Sequence, residues 1–150
     1  EDVGIRSATA GDLESIRRIY NEGIEDRVAT LDSVLKSSEE IGQWWSAHSG
    51  RWASLNPFSH RCAHADIADL SVYVAPERRG KGVGYILLQR LIADAAALGF
   101  HKIVLHALDS NEHGKRLYRK AGFAEIGVFK EHGRLEGRYV DVIAMERPLA

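Results

Sequence analysis

From Leu13 onward, apolar residues return every three or four positions. Ile16, Ile19, Tyr20 and Ile24 share one face with it, which predicts an amphipathic helix packed on a core. Thr9 followed three residues later by Asp12 predicts its start, as a capping box with Asp in place of Glu. Ser37 and Glu40 repeat that signal ahead of Ile41, Trp44 and Trp45, so a second helix is expected there, with a loop over residues 27–36. A short strand-like start is expected at Val3-Gly4-Ile5-Arg6. The pattern changes to alternation over residues 65–74, where Leu70, Val72 and Val74 fall on one face and Asp69, Ser71 and Tyr73 on the other. A glycine-rich turn follows, then a helix from Tyr85 to Leu98 that stops at Gly99. Ile103 to Leu108 predicts another strand and Glu112 to Ala121 a short helix ending at Gly122. Phe123 to Phe129 and Tyr139 to Met145 predict two paired strands joined around residues 133–137. Strands alternating with helices, then paired strands, predict a mixed α/β sheet in one domain over residues 1–150.

Composition narrows the partners. Twenty Lys and Arg against twenty-one Asp and Glu leave a net charge of −1, which argues against nucleic acid as a partner. There is no apolar run of eighteen residues, so no membrane helix is expected. Glu1-Asp2-Val3-Gly4 lacks the basic and apolar regions of a secretory leader. The single cysteine, Cys62, has no partner for an internal disulfide, and the expectation is a cytoplasmic protein.

The chemistry concentrates in Val72-Tyr73-Val74-Ala75-Pro76-Glu77-Arg78-Arg79-Gly80-Lys81-Gly82-Val83-Gly84. Three alternate glycines let a ligand approach the backbone, and the helix that follows offers unpaired amides and a dipole suited to an anion. Arg78, Arg79 and Lys81 add positive charge, which together describes a pyrophosphate cradle. Gly82 after Gly80-Lys81 breaks the phosphate-loop pattern, which needs Ser or Thr there. Gly80, Gly82 and Gly84 also miss the spacing of the dinucleotide fingerprint.

Arg79-x-x-Gly82-x-Gly84, after a Val-Tyr-Val strand and before an amphipathic helix, resembles the acyl-CoA-binding motif of GNAT N-acetyltransferases. Asn111 followed by Leu117-Tyr118-Arg119-Lys120-Ala121-Gly122-Phe123 is similar to the second motif of that family. Further segments are similar to its phosphinothricin and methionine sulfoximine acetyltransferase branch. They are Ile19-Tyr20-Asn21-Glu22, Ala29-Thr30-Leu31, Trp52-Ala53-Ser54-Leu55 and Gly137-Arg138-Tyr139-Val140-Asp141-Val142. One departure stands out. The family's strand hairpin after the second helix has no counterpart here, since Trp45 is followed almost directly by Trp52, about a dozen residues short of two strands and a turn.

The resemblance implies the GNAT fold, with a mostly antiparallel mixed sheet, flanking helices and a splayed central strand pair. It implies acetyl-CoA as co-substrate, no metal, a small-molecule amine as acceptor and a homodimer. It places the cofactor on Val72, Tyr73, Val74, Arg79, Gly80, Lys81, Gly82, Val83, Gly84, Tyr85, Asn111, Tyr118 and Lys120. The Val72 amide would polarise the thioester carbonyl, although both valines also suit a plain core. Tyr118 would protonate the departing thiolate, against a reading as a packing residue. Asp69 stands where this branch has Glu, one methylene shorter. It would take the amine proton directly or through water, unless it is a solvated strand residue. Arg61, Cys62, Ala63 and His64 would touch the acceptor. His60-x-x-x-His64 with Cys62 between does not focus three ligands on a metal. His132, Arg134 and Arg138 form a basic group that suits either a carboxylate-bearing acceptor or a solvated turn, and the two tryptophans suit the core. The function so implied is direct acetylation of the α-amine of a phosphinothricin-, methionine sulfoximine- or methionine sulfone-like molecule. A non-catalytic acyl-CoA-binding module and a protein N-terminal acetyltransferase are the alternatives.

Overall fold

The computed structural model describes residues 4–27, 29–48 and 53–149. Helix α1 (Leu13–Glu25) follows a 3-10 turn at Ala10–Asp12, and α2 spans Ser38–His48. Both start where the capping residues predict. The Asp12 carboxylate accepts from the Thr9 amide at 2.7 Å. Ser37 and Glu40 exchange bonds, the Ser37 amide donating at 2.8 Å and the Glu40 amide donating to Ser37 Oγ at 3.2 Å. Residues 4–9 adopt no regular structure, and Val3 lies outside the described residues. The expected N-terminal strand is not formed at Gly4-Ile5-Arg6: the Arg6 guanidinium turns to the Asp12 carboxylate instead, at 2.8 Å.

Among the described residues five strands make one sheet: β1 (Ala53–Pro57), β2 (Ile67–Val72), β3 (Lys102–Leu108), β4 (Ala124–Leu135) and β5 (Arg138–Pro148), in the order β1-β2-β3-β5-β4. Only β2 and β3 are parallel. Helices α3 (Val83–Ala97) and α4 (Glu112–Lys120) complete the elements. Leu88, Leu91 and Ala95 of α3 pack with Ala68, Leu70, Ile103, Leu105, Ile143 and Met145, so one sheet face is closed by apolar contact. Asp69, Val104 and their neighbours point to the other face, as the period of two requires.

The expected hairpin closes more tightly than a loop over residues 133–137. β4 runs on to Leu135, and the turn is Glu136-Gly137, both with positive φ (49° and 77°). A two-residue turn of that hand matches the twist of the flanking strands. The missing family hairpin would fall between α2 and β1, where only residues 49–52 stand; they, including Trp52, lie outside the described residues.

Candidate active site

The parallel pair sets the geometry. β2 and β3 pair only at Ile67 with Lys102, Ala68 with Ile103 and Asp69 with Val104, although β2 continues to Val72 and β3 to Leu108. Past Asp69 the strands part, while β2 stays paired on its other side, Ala53 facing Val72. A cleft of about 560 Å³ lies at this opening, lined by Val72, Tyr73, Val74, Asn111, Leu117 and Tyr118 among others.

The loop from Arg79 to Gly84 forms one wall. Gly80 and Gly82 hold positive φ (71° and 79°), a backbone conformation that favours glycine, and open space lies where their Cβ atoms would be. Gly84 is small for a different reason. A Cβ there would stand 3.2 Å from Leu117 and 3.5 Å from Val74, so it lets α3, α4 and the end of β2 close together. Arg79 Nε donates to the Val74 carbonyl at 2.9 Å, and its guanidinium also pairs with Asp26 at the end of α1. Asp26 is a residue that the sequence reading missed, because the two lie far apart in the chain. Tyr85 and Lys120 complete the mouth, with Lys120 Nζ 4.7 Å from the Tyr85 ring centroid. Of the thirteen residues assigned to the cofactor, only Lys81 and Val83 do not line the cleft; Lys81 is exposed beside it.

Tyr118 is placed by α4, whose start is fixed by Asn111: its Oδ1 accepts from the Gly114 amide at 2.9 Å. The Tyr118 ring packs on Phe123 at 6.1 Å, edge to face. Burial, and then the nearby Tyr73 phenol, push its pKa up to about 12, so it is protonated throughout the neutral range. Tyr73 and Tyr20 stack edge to face at 4.8 Å, and the Tyr20 hydroxyl donates to Asp32 at 2.5 Å. This row ties the loop over residues 27–36 to the cleft. Buried Asn21 holds the loop's far end, accepting from the Lys36 amide at 2.8 Å and donating to its carbonyl at 2.9 Å. A second cavity of about 270 Å³ lies where α1, α2 and the β1–β2 pair meet, lined by Tyr20, Lys36, Glu40, Trp44, Asn56 and Tyr73 among others. Trp44 therefore lines a cavity wall, where the sequence suggested core.

Asp69 is half-buried at the point where the strands part. Burial raises its carboxyl, while His106 on β3 acts in the opposite sense. Arg61, Cys62, Ala63 and His64 occupy an exposed turn between β1 and β2, and none of them lines either cavity. His64 Nδ1 lies 2.7 Å from Ser59 Oγ. His132, Arg134 and Arg138 are exposed on the β4–β5 hairpin, with the Arg134 guanidinium over the Tyr139 ring at 5.9 Å. Among the described residues no group of three or more His, Cys, Asp and Glu is set to hold a metal ion.

Residues 46–123 match the model of the acetyltransferase (GNAT) family. The chain belongs to that family. It is an N-acetyltransferase that uses acetyl-CoA as co-substrate. A solved GNAT phosphinothricin acetyltransferase from Sinorhizobium meliloti, in complex with acetyl-CoA, is 32% identical, with a TM-score of 0.90 over 97% of this chain and 87% of that one. A ribosomal-protein-alanine N-acetyltransferase from Brucella melitensis is 30% identical, with a TM-score of 0.92 over 97% and 99%. The L-methionine sulfoximine/L-methionine sulfone acetyltransferase of Pseudomonas aeruginosa is 30% identical over 96% of this chain and 93% of its own. That alignment runs over 166 positions, more than the 150 residues here, so the relative carries residues with no counterpart in this acetyltransferase.

The cleft suits the co-substrate. Its positive-φ glycines open onto space at a helix N-terminus, where a diphosphate finds amide donors. Its parted strands leave the Leu70–Val72 stretch of β2 with no register partner on β3, which is where an extended arm can lie. Bound acetyl-CoA supplies an activated acyl group as a thioester. The protein's own contribution is to orient that group and to move protons around it.

Proposed function

We propose that this acetyltransferase acetylates the α-amine of a small amino-acid-like acceptor of the phosphinothricin, methionine sulfoximine or methionine sulfone type, by direct transfer. The observation that carries this reading is the parting of β2 and β3 just past Asp69, beside a cleft that Val72 and Tyr118 line. The Val72 amide would polarise the thioester carbonyl of bound acetyl-CoA and steady the oxyanion that develops there. The amine proton leaves on the Asp69 side of the opening, drawn by Asp69 directly or through a water or a neighbouring group that it orders. Tyr118 gives its proton to the departing sulfur. Residues 79–85, with Asn111 and Lys120, hold the diphosphate and nucleotide end. The 270 Å³ cavity where α1, α2 and the β1–β2 pair meet matches a molecule of amino-acid size better than a peptide. The likeness to the ribosomal-protein-alanine N-acetyltransferase of Brucella supports protein N-terminal acetylation as a second reading.

A thiol-release assay with purified protein, acetyl-CoA and a panel of amino acids, their sulfone and sulfoximine analogues, and alanine-start peptides separates the two. Turnover on the small acceptors is expected; turnover on peptides alone would overturn the first reading. In the same assay Tyr118→Phe should lower kcat by about 10²-fold with KM for acetyl-CoA little changed. The protein is also proposed to act as a homodimer. Support comes from the edge strand β4, where Ile126 and Phe129 are 56% and 46% exposed. A monomer mass in solution would overturn that.

A further inference from the structure

The sheet face that carries Asp69 also carries a row of rings. His106 stands on β3 two residues past Val104, the register partner of Asp69, so it points to the same side. Its ring is exposed, 6.5 Å from Phe58 at 17° and 6.2 Å from Phe129 at 37°. His64 meets Phe58 edge to face at 5.4 Å, and His132 stacks on Phe129 at 4.5 Å. The strands part immediately after Asp69 and Val104, so Asp69 and His106 flank the opening from its two banks.

We propose that His106 is a catalytic residue: its imidazole takes the proton that the acceptor's ammonium must lose, and Asp69, facing it from β2, acts as the anion that steadies the imidazolium. This rests on the reading above that the proton leaves on the Asp69 side of the opening. The chemistry favours the ring over the carboxylate. A general base works best when its own titration lies near the operating pH, and imidazole is the side chain that titrates between about pH 5 and 8. A half-buried carboxylate is well placed to attract a cation. The two lie close enough that His106 opposes the rise that burial gives the Asp69 carboxyl.

The step balances. One ammonium proton passes to His106, and the freed lone pair forms the N–C bond at the thioester carbonyl as the C–S bond breaks. The sulfur takes the Tyr118 proton. The second proton lost by the nitrogen restores Tyr118, so one proton in all leaves, through His106 to solvent. The titratable groups set around His106 are Asp69 on β2, His64 through Phe58 and His132 on β4 through Phe129. Its partner on β5, Ala144, brings none.

The test is kinetic and spectroscopic. His106→Gln should lower kcat by about ten- to hundredfold, leave KM for acetyl-CoA within about twofold, and remove the near-neutral inflection from the pH profile of kcat/KM. Imidazole in the buffer should restore part of the activity lost in His106→Ala. An unchanged pH profile with kcat within about twofold of wild type would overturn the proposal, as would a folded His106→Ala that imidazole does not help. The pairing has its own readout without turnover. By NMR the ring resonances of His106 should move in Asp69→Asn, while those of His101, just before the same strand, stay in place. Unmoved His106 resonances overturn the pairing even if no acceptor in the panel is acetylated, whereas that inactivity alone would overturn only the acceptor assignment.

Discussion

Tyr118 sits in the cleft with its phenol held above the ordinary value, first by burial and then by Tyr73. The unfolded chain's tyrosine ionises near pH 10. A folded value near 12 means that this contribution to stability is complete below pH 10 and is lost as pH rises toward 12. The phenolate absorbance difference between wild type and Tyr118→Phe should therefore develop close to pH 12. A difference titrating at pH 10 would show that Tyr118 is solvated. Neighbouring Tyr20 and Tyr73 are raised as well, both chiefly by burial. At this scale the sequence was informative about Tyr118 and Asn111, whose spacing on a short helix is a local matter. It was silent about Asp26 and His106. Each becomes relevant only by facing a residue of another element, Arg79 in one case and Asp69 in the other.

The glycine-rich loop and the helix it opens form one wall of the cleft proposed to take acetyl-CoA. Gly82 is the N-cap of α3 and holds a left-handed conformation at φ 79°. A side chain there costs about 1–2 kcal/mol of backbone strain although nothing stands in its way. Gly82→Ala should therefore raise KM for acetyl-CoA several-fold while the acceptor KM stays near wild type; an unchanged acetyl-CoA KM would show that the loop absorbs the change elsewhere. The starts of α1, α2 and α4 were legible in the sequence because caps are local hydrogen bonds: Thr9 with Asp12, Ser37 with Glu40, Asn111 with Gly114. Helix α3, whose N-cap Gly82 has no side chain to signal it, begins at Val83, two residues before the expected Tyr85. The β4–β5 hairpin was legible as a pair but not in its length. Which residues turn depends on the register that the whole ladder adopts, and this ladder includes irregularities near Gly127 and Gly133.

Across the molecule, one sheet face is sealed by apolar packing and the other carries Asp69 and the row of rings. Leu105 is 1% exposed at the centre of the sealed face. Leu105→Ala should cost about 2–5 kcal/mol, read as a lower Tm or urea midpoint, with acetyl-CoA KM unchanged in the protein that remains folded. A shift in KM instead would mean that the core sets the cleft directly. The loop over residues 27–36 crosses to that second face. Leu31 fills the space above Gly133, and Arg27 pairs with Glu136 at 3.2 Å, so the loop is tied to the hairpin at two points.

The sequence by itself determined the alternation that sorts β2 into a core face and a face that carries Asp69, the caps that start α1, α2 and α4, and the two linked motifs that mark the family. These are read from spacing along the chain, because they rest on contacts within a few residues. Only the tertiary structure decided where β2 leaves β3, and so that Asp69 stands at the opening with His106 opposite. Only it showed that Arg79 is shared with Asp26 and that Arg61 to His64 lie apart from both cavities. Those facts depend on which elements become neighbours. That is set by burying the apolar face as a whole, and no local pattern records it.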